Sequence, residues 1–201
     1  MKIVFLDVDG VLNTMDSLGE AEDDSDFLFD KKSGSPLEKR CLNNLIQILL
    51  KTGAKIVVTS TWRMFPDMMQ FLTRTVEEMF GHAVAWQNEA NAETEKQNTT
   101  PVFIGTTTDA GAPPFGGGRG QEVRLWLQGH PECNRFVVLD DDHKKSFQDA
   151  LFGEEKLPHG VEGMLIETKL GGYLDPVPFV EQGLTGDHVD TAVQFLNNSQ
   201  K

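Results

Sequence analysis

Two aspartates, Asp7 and Asp9, follow the apolar run Ile3-Val4-Phe5-Leu6 and lead straight into Gly10 and Val11. A strand ending in Asp-x-Asp-Gly delivers both carboxylates to one edge of a sheet. Strand side chains alternate with period 2, so Asp7 and Asp9 share a face while Val8 points the other way. Gly10 permits a sharp turn and leaves space for a ligand. Two acids held this close must share a proton or bind a cation, which makes them the first candidate for chemistry.

Other strand ends add to them. Apolar runs with strand character lie at 3–6, 56–58, 102–104, 136–139 and 164–166. In parallel α/β sheets ligands gather beyond the carboxyl ends of the strands. There the run Ile56-Val57-Val58 offers Thr59, Ser60 and Thr61, then Trp62 and Arg63. Phe136-Val137-Val138-Leu139 offers Asp140, Asp141 and Asp142. Arg119, in Gly116-Gly117-Gly118-Arg119-Gly120, stands just before a helical pattern.

Four or five carboxylates at one edge repel strongly: each like-charge contact at ~4 Å costs about 4 kcal/mol at an effective dielectric near 20. A hard divalent cation relieves that repulsion, and a few carboxylates completed by waters suit Mg²⁺. With the cation in place the set fits phosphoryl transfer. One aspartate attacks phosphorus to give an aspartyl-phosphate, and a second protonates the leaving oxygen and later activates water. A hydroxyl and a cationic side chain hold the equatorial oxygens. Asp7, Asp9, Thr59 or Ser60, and Arg119 match those roles in turn.

The elements that must position these groups are legible as patterns. The stripe Leu42, Leu45, Ile46, Leu49, Leu50 predicts a helix over 37–51. Ser35-Pro36-Leu37-Glu38 reads as its capping box with proline at the first helical position, and Gly53 as its stop. Further helices are expected at about 66–80, with Met68, Met69, Leu72, Val76 and Met79 as core, at about 120–129, and after Thr185. Strands alternating with helices mean an α/β fold with a mostly parallel sheet. The chain reads as one domain over 1–201, with small polar insertions near 14–35 and 81–118 and no large cap.

Composition narrows the partners. Of 201 residues, 39% are hydrophobic and 24% charged, as in soluble globular proteins. A net charge of −13 argues against broad binding to phosphate backbones. The acidic run Glu22-Asp23-Asp24-Ser25-Asp26 reads as a solvated loop. Cys41 and Cys133 form no Cys-x-x-Cys pair, which favours a reducing, cytoplasmic setting. The N-terminal apolar stretch is too short for a secretory signal, and no run approaches the ~18 residues of a membrane helix.

Several of these residues also have purely structural readings. Val8 and the preceding strand are wrong for a calcium-binding EF-hand loop. The glycines before Arg119 lack the Gly-Lys-Ser/Thr ending of a phosphate-binding P-loop and serve as a flexible lead. Asp142 reads as a loop or cap acid and Trp62 as a packing residue. Arg63 is divided between a supporting salt bridge and a substrate contact. The five histidines lack metal spacing, with His143 the one nearest the Asp run.

Asp7-Val8-Asp9-Gly10-Val11, Thr59 after a strand, a basic residue before a helix and Asp-Asp after another strand resemble the haloacid dehalogenase-like (HAD) superfamily. Ser60-Thr61-Trp62-Arg63, Arg119-Gly120-Gln121-Glu122-Val123, Leu139-Asp140-Asp141-Asp142 and Gly183-Leu184-Thr185 are similar to a HAD domain of multidomain RNA-repair proteins. The resemblance spans roughly 1–198 and implies a Rossmann-like three-layer sandwich. It implies Asp7 as nucleophile and metal ligand, and Asp9 as general acid/base whose carbonyl also meets the metal. Thr59 or Ser60 contacts the phosphoryl group, Arg119 replaces the family's usual lysine, and Asp140 and Asp141 complete the metal site. From the residues themselves, Gly10, which leaves space for a ligand, and Arg63, in its reading as a substrate contact, are the candidate substrate-binding residues. The activity implied is Mg²⁺-dependent phosphomonoester hydrolysis, on a phosphorylated substrate such as a nucleic-acid end or another bulky phosphate. The alternatives are a non-catalytic phosphate- or metal-binding module and a phosphotransferase.

Overall fold

The computed structural model describes residues 1–14, 26–90, 102–107, 118–142, 144–154, 156–169 and 181–198. Its centre is a five-stranded, all-parallel sheet of β1 (Lys2–Leu6), β4 (Lys55–Val58), β5 (Phe103–Thr106), β6 (Arg135–Asp140) and β7 (Glu162–Glu167), in the order β5-β4-β1-β6-β7. The three inner strands are covered on both faces, so they read as unbroken apolar runs rather than as alternating ones. Ile3 to Leu6, Ile56 to Val58 and Phe136 to Leu139 are all closed to solvent.

Alternation divides those residues between two apolar layers. Val4, Leu6, Ile56, Val58, Val137 and Leu139 pack with Leu42, Leu45 and Leu49 of α1 (Lys39–Thr52), Leu72 and Val76 of α2 (Pro66–Ala90), and Val189 and Leu196 of α5 (Gly186–Asn197). Ile3, Phe5, Val57, Phe136 and Val138 face the opposite layer. They pack there with Val123 and Leu127 of α3 (Gly118–Gly129) and Phe147 and Leu151 of α4 (Lys144–Leu151). The result is the helix–sheet–helix α/β architecture expected, with five helices among the described residues on the two faces.

Chain order fixes where a ligand must lie. From β1 the chain builds outward through β4 and β5, then crosses back to add β6 and β7 on the other side. The direction reverses at the β1/β6 boundary, and a crevice opens beyond the carboxyl ends of strands at such a switch point. Asp140 ends β6, and Asp7 comes directly after the last residue of β1.

Three local expectations change. Pro36–Glu38 is not a helix start: it is β3, paired antiparallel with β2 (Phe27–Phe29). Helix α1 begins at Lys39 behind Glu38, whose buried carboxylate accepts from the Thr14 hydroxyl and from Arg40 Nε at 2.7 Å. Pairing with Phe27–Phe29 overrides the local cap pattern. At its other end α1 stops at Gly53 in the left-handed conformation, φ 67°, as expected. Helix α2 runs to Ala90, ten residues past its expected end, so 81–90 is not an insertion loop. The short helix α4 has a weak sequence signal because its eight residues present only two buried apolar side chains, Phe147 and Leu151.

Both cysteines are buried and free. Among the described residues no helix is long and apolar enough to cross a membrane. Most of the acidic run at 22–26, His143, Gly116 and Gly117 lie outside the described residues.

Candidate active site

Register brings the site together. Leu6 is level with Val58 of β4 and with Leu139 of β6. One residue further along, Thr59, Asp7 and Asp140 therefore stand in a row across three strands. By parity with Val57, Phe5 and Val138, all three belong to the face covered by α3 and α4. The backbone continues in register past the strand ends: Asp7 N–H donates to Leu139 at 3.0 Å, and Thr59 N–H to Leu6 at 2.9 Å.

Arg119 enters that face from the first turn of α3. Its Nη1 donates to Asp7 Oδ2 and, at 3.0 Å, to Asp140 Oδ2. Among the described residues its Nε and Nη2 make no hydrogen bond. The helix start is clamped to α4, where Ser146 Oγ accepts from Gly120 N–H at 3.0 Å. A Cβ on Gly120 would lie 2.1 Å from the Ser146 carbonyl oxygen, so only glycine allows this approach.

Asp7, Asp140 and Asp141 each bring a carboxylate oxygen within 4.8 Å of the others. Asp7 is 2% exposed and Asp140 1%. Burial raises the Asp7 pKa above its usual range, and the Asp140 charge adds to this against the pull of Arg119. Asp141 is pushed up to about 7 by burial and then by the charges of Asp7 and Asp140. Arg119 is held more firmly protonated: burial works against its charge, but Asp7 and Asp140 outweigh it. Three carboxylates against one guanidinium leave a formal charge of −2, which a divalent cation would balance. An all-oxygen donor set suits a hard ion such as Mg²⁺, so these residues fit a metal site. Gly10 helps to shape it. At φ 73° its missing Cβ leaves the space that the Asp141 carboxylate fills, 2.2 Å from where that atom would be. Asp142 stands apart from the cluster, its N–H donating to Asp140 Oδ1 at 3.1 Å.

Asp9 has different surroundings. It is exposed, outside that three-carboxylate cluster, and its Oδ1 accepts from Asn13 Nδ2 at 2.9 Å and from the Trp62 indole N–H at 3.1 Å. Thr59 and Ser60 also differ. The Thr59 hydroxyl is buried and has no hydrogen-bond partner among the described residues. Ser60 Oγ accepts from Trp62 N–H and caps the 3₁₀ turn Thr61–Met64.

Arg63 turns inward. Both oxygens of Glu122 accept from its Nη2 at 3.0 Å, and its Nη1 donates to the carbonyls of Thr59 and Ser60. The Thr107 hydroxyl closes the group by donating to Glu122 at 3.0 Å. This bridge holds the loop that carries Thr59.

Four contributors are not evident from the sequence: Asn13, Glu122, Thr107 and Thr168. Thr168 follows β7, donates its hydroxyl to the Gly10 carbonyl at 2.8 Å and its N–H to Asp140. Its one signal is its place at the end of the last strand, the same position that marks the other site residues. Asn13 and Glu122 carry no such signal, because their partners are set by the turn after β1 and by the docking of α3.

No curated protein and no solved structure matches the chain significantly. The model of one family does match, over residues 3–170, and it takes in all but the first residue of β1, with Asp7, Thr59, Arg119 and the Asp140–Asp141 pair. The chain belongs to that family, the HAD domain in Swiss Army Knife RNA repair proteins.

Proposed function

We propose that the protein is a Mg²⁺-dependent phosphohydrolase that transfers the phosphoryl group of a phosphomonoester to Asp7 and then to water. The observation that carries this is the row Thr59–Asp7–Asp140, with Arg119 bonded to both acids. Asp7, Asp140 and Asp141, with the Asp9 carbonyl, would hold the metal. When bound, the metal draws charge from the phosphoryl oxygens and fixes their position.

The chain's own groups do the rest. An Asp7 oxygen attacks phosphorus as the bond to the leaving oxygen breaks, and Asp9 gives that oxygen its proton. In the second step Asp9 takes a proton from water, whose oxygen bonds phosphorus while the Asp7–phosphorus bond breaks. The unpartnered Thr59 hydroxyl and the Nε and Nη2 of Arg119 supply donors to the equatorial oxygens. Ser60 caps the adjoining turn, and Arg63 supports the loop from behind. The family's RNA-repair setting favours a phosphorylated nucleic-acid end as substrate, reached through a local site, given the net charge of −13.

The test is hydrolysis of an aryl phosphate, an alkyl phosphate and end-phosphorylated oligonucleotides, with Mg²⁺ or EDTA, by wild type and Asp7→Asn. Metal-dependent release of phosphate that disappears in the variant supports the assignment. Equal rates for the two proteins would remove Asp7 as nucleophile.

A further inference from the structure

Asp9 must do two opposite things from one place, and an exposed carboxylate on a short side chain does not keep one orientation unaided. Here two donors converge on a single oxygen, Oδ1: Asn13 Nδ2 at 2.9 Å and Trp62 Nε1 at 3.1 Å. The other oxygen, Oδ2, accepts no hydrogen bond among the described residues. Each donor is itself fixed. Trp62 is 2% exposed, in a turn capped by Ser60 Oγ and flanked by the Arg63–Glu122 bridge. Asn13 is buried, and its Oδ1 accepts from Gly10 N–H at 3.1 Å, so one amide ties the turn and the carboxylate together.

A buried indole N–H needs an acceptor, and many would serve. This one is the proton-transfer group of the proposed reaction. We propose that Trp62 and Asn13 are positioning residues, which hold Oδ1 of Asp9 so that Oδ2 alone gives and takes the proton. The proposal rests on the phosphohydrolase reading above. In the first step the Oδ2 proton passes to the leaving oxygen as its bond to phosphorus breaks. In the second, Oδ2 receives a proton from the attacking water.

Leaving-group dependence separates this role from simple packing. p-Nitrophenolate departs without a proton, whereas the alkoxide of benzyl phosphate needs one. General acid catalysis contributes ~10²–10⁴-fold, so weakening it must harm the second substrate more. The experiment measures kcat/KM for both phosphates, with Mg²⁺, in wild type, Trp62→Phe and Asn13→Ala, with thermal unfolding of each protein alongside. Either variant should lose at least about tenfold more activity on benzyl phosphate than on p-nitrophenyl phosphate. Equal losses on the two substrates would overturn the positioning role and leave the phosphohydrolase reading intact. Wild-type protein that turned over neither substrate would overturn both. Asn13→Ala keeps the test decisive should the indole replacement impair folding.

Discussion

The Arg119 guanidinium and the Asp7 carboxylate form an ion pair nearly closed to water, with their side chains 13% and 4% exposed. The same nitrogen also meets Asp140, so one cation spans the strands on either side of the switch point. Removing it would leave three neighbouring carboxylates without a counter-charge. Breaking such a buried pair from one side costs about 3–5 kcal/mol. Arg119→Ala should therefore lower the unfolding temperature markedly in EDTA at pH 8. Mg²⁺ should return much of the loss, and Arg119→Lys should fall between. Thermal unfolding with and without metal measures this, and a variant as stable as wild type in EDTA would show that the pair contributes nothing.

Acidity should act on the metal-free protein in an unusual direction. Asp141 titrates near 7 in the folded chain and near 3.8 when unfolded, so between those values the folded state binds more protons. Stability then falls as pH rises through 7. In EDTA this site should favour pH 5 over pH 8, and Asp141→Asn should flatten that difference. Metal binding must displace the same proton, so Mg²⁺ affinity should weaken about tenfold per unit below pH 7. Calorimetry at pH 8, 7 and 6 reads the trend, and an affinity constant across that range contradicts it.

Asp7→Asn keeps the shape of the side chain and removes its nucleophilicity. Turnover should drop by ~10⁴-fold or more, as when other covalent nucleophiles are deleted. Acid quenching during turnover should leave a phosphorylated peptide containing residue 7 in wild type and none in the variant. Mass spectrometry of the quenched protein decides it.

Arg63 bridges Glu122 of α3 to the carbonyls of Thr59 and Ser60, a geometry that fits a loop support. Each alanine variant should cost about 3–5 kcal/mol of stability, and the double variant less than the sum. A substrate-binding Arg63 would instead raise KM and leave the unfolding temperature nearly unchanged. Denaturant unfolding of the three variants, with KM for an aryl phosphate, separates the two.

Much of this arrangement is visible in the residues because the sheet is parallel and its inner strands are unbroken apolar runs. Each run announces its own end, and the first polar residue beyond it falls in the candidate site: Asp7, Thr59, Asp140. Hairpin β2–β3 is hidden because Ser35-Pro36-Leu37-Glu38 satisfies every local rule for a helix start, and only Phe27–Phe29 makes it a strand. The choice between Thr59 and Ser60 likewise lies in the register of β4, not in residue type. Both are closed to solvent, and register alone puts the first in the row and the second on the turn. Trp62 is buried, as its packing role predicts, and its N–H also reaches Asp9.

Because Thr59, Asp7 and Asp140 come from three separately placed strands, a slip of β4 or β6 by one residue would turn its side chain to the opposite helix layer. A chain mispaired in this way could be as compact and as helical as the native one and still have no Thr59 hydroxyl or no Asp140 carboxylate beside Asp7. On the proposed mechanism, phosphate release would then report strand alignment more sensitively than circular dichroism, and refolding yield is best counted in active sites.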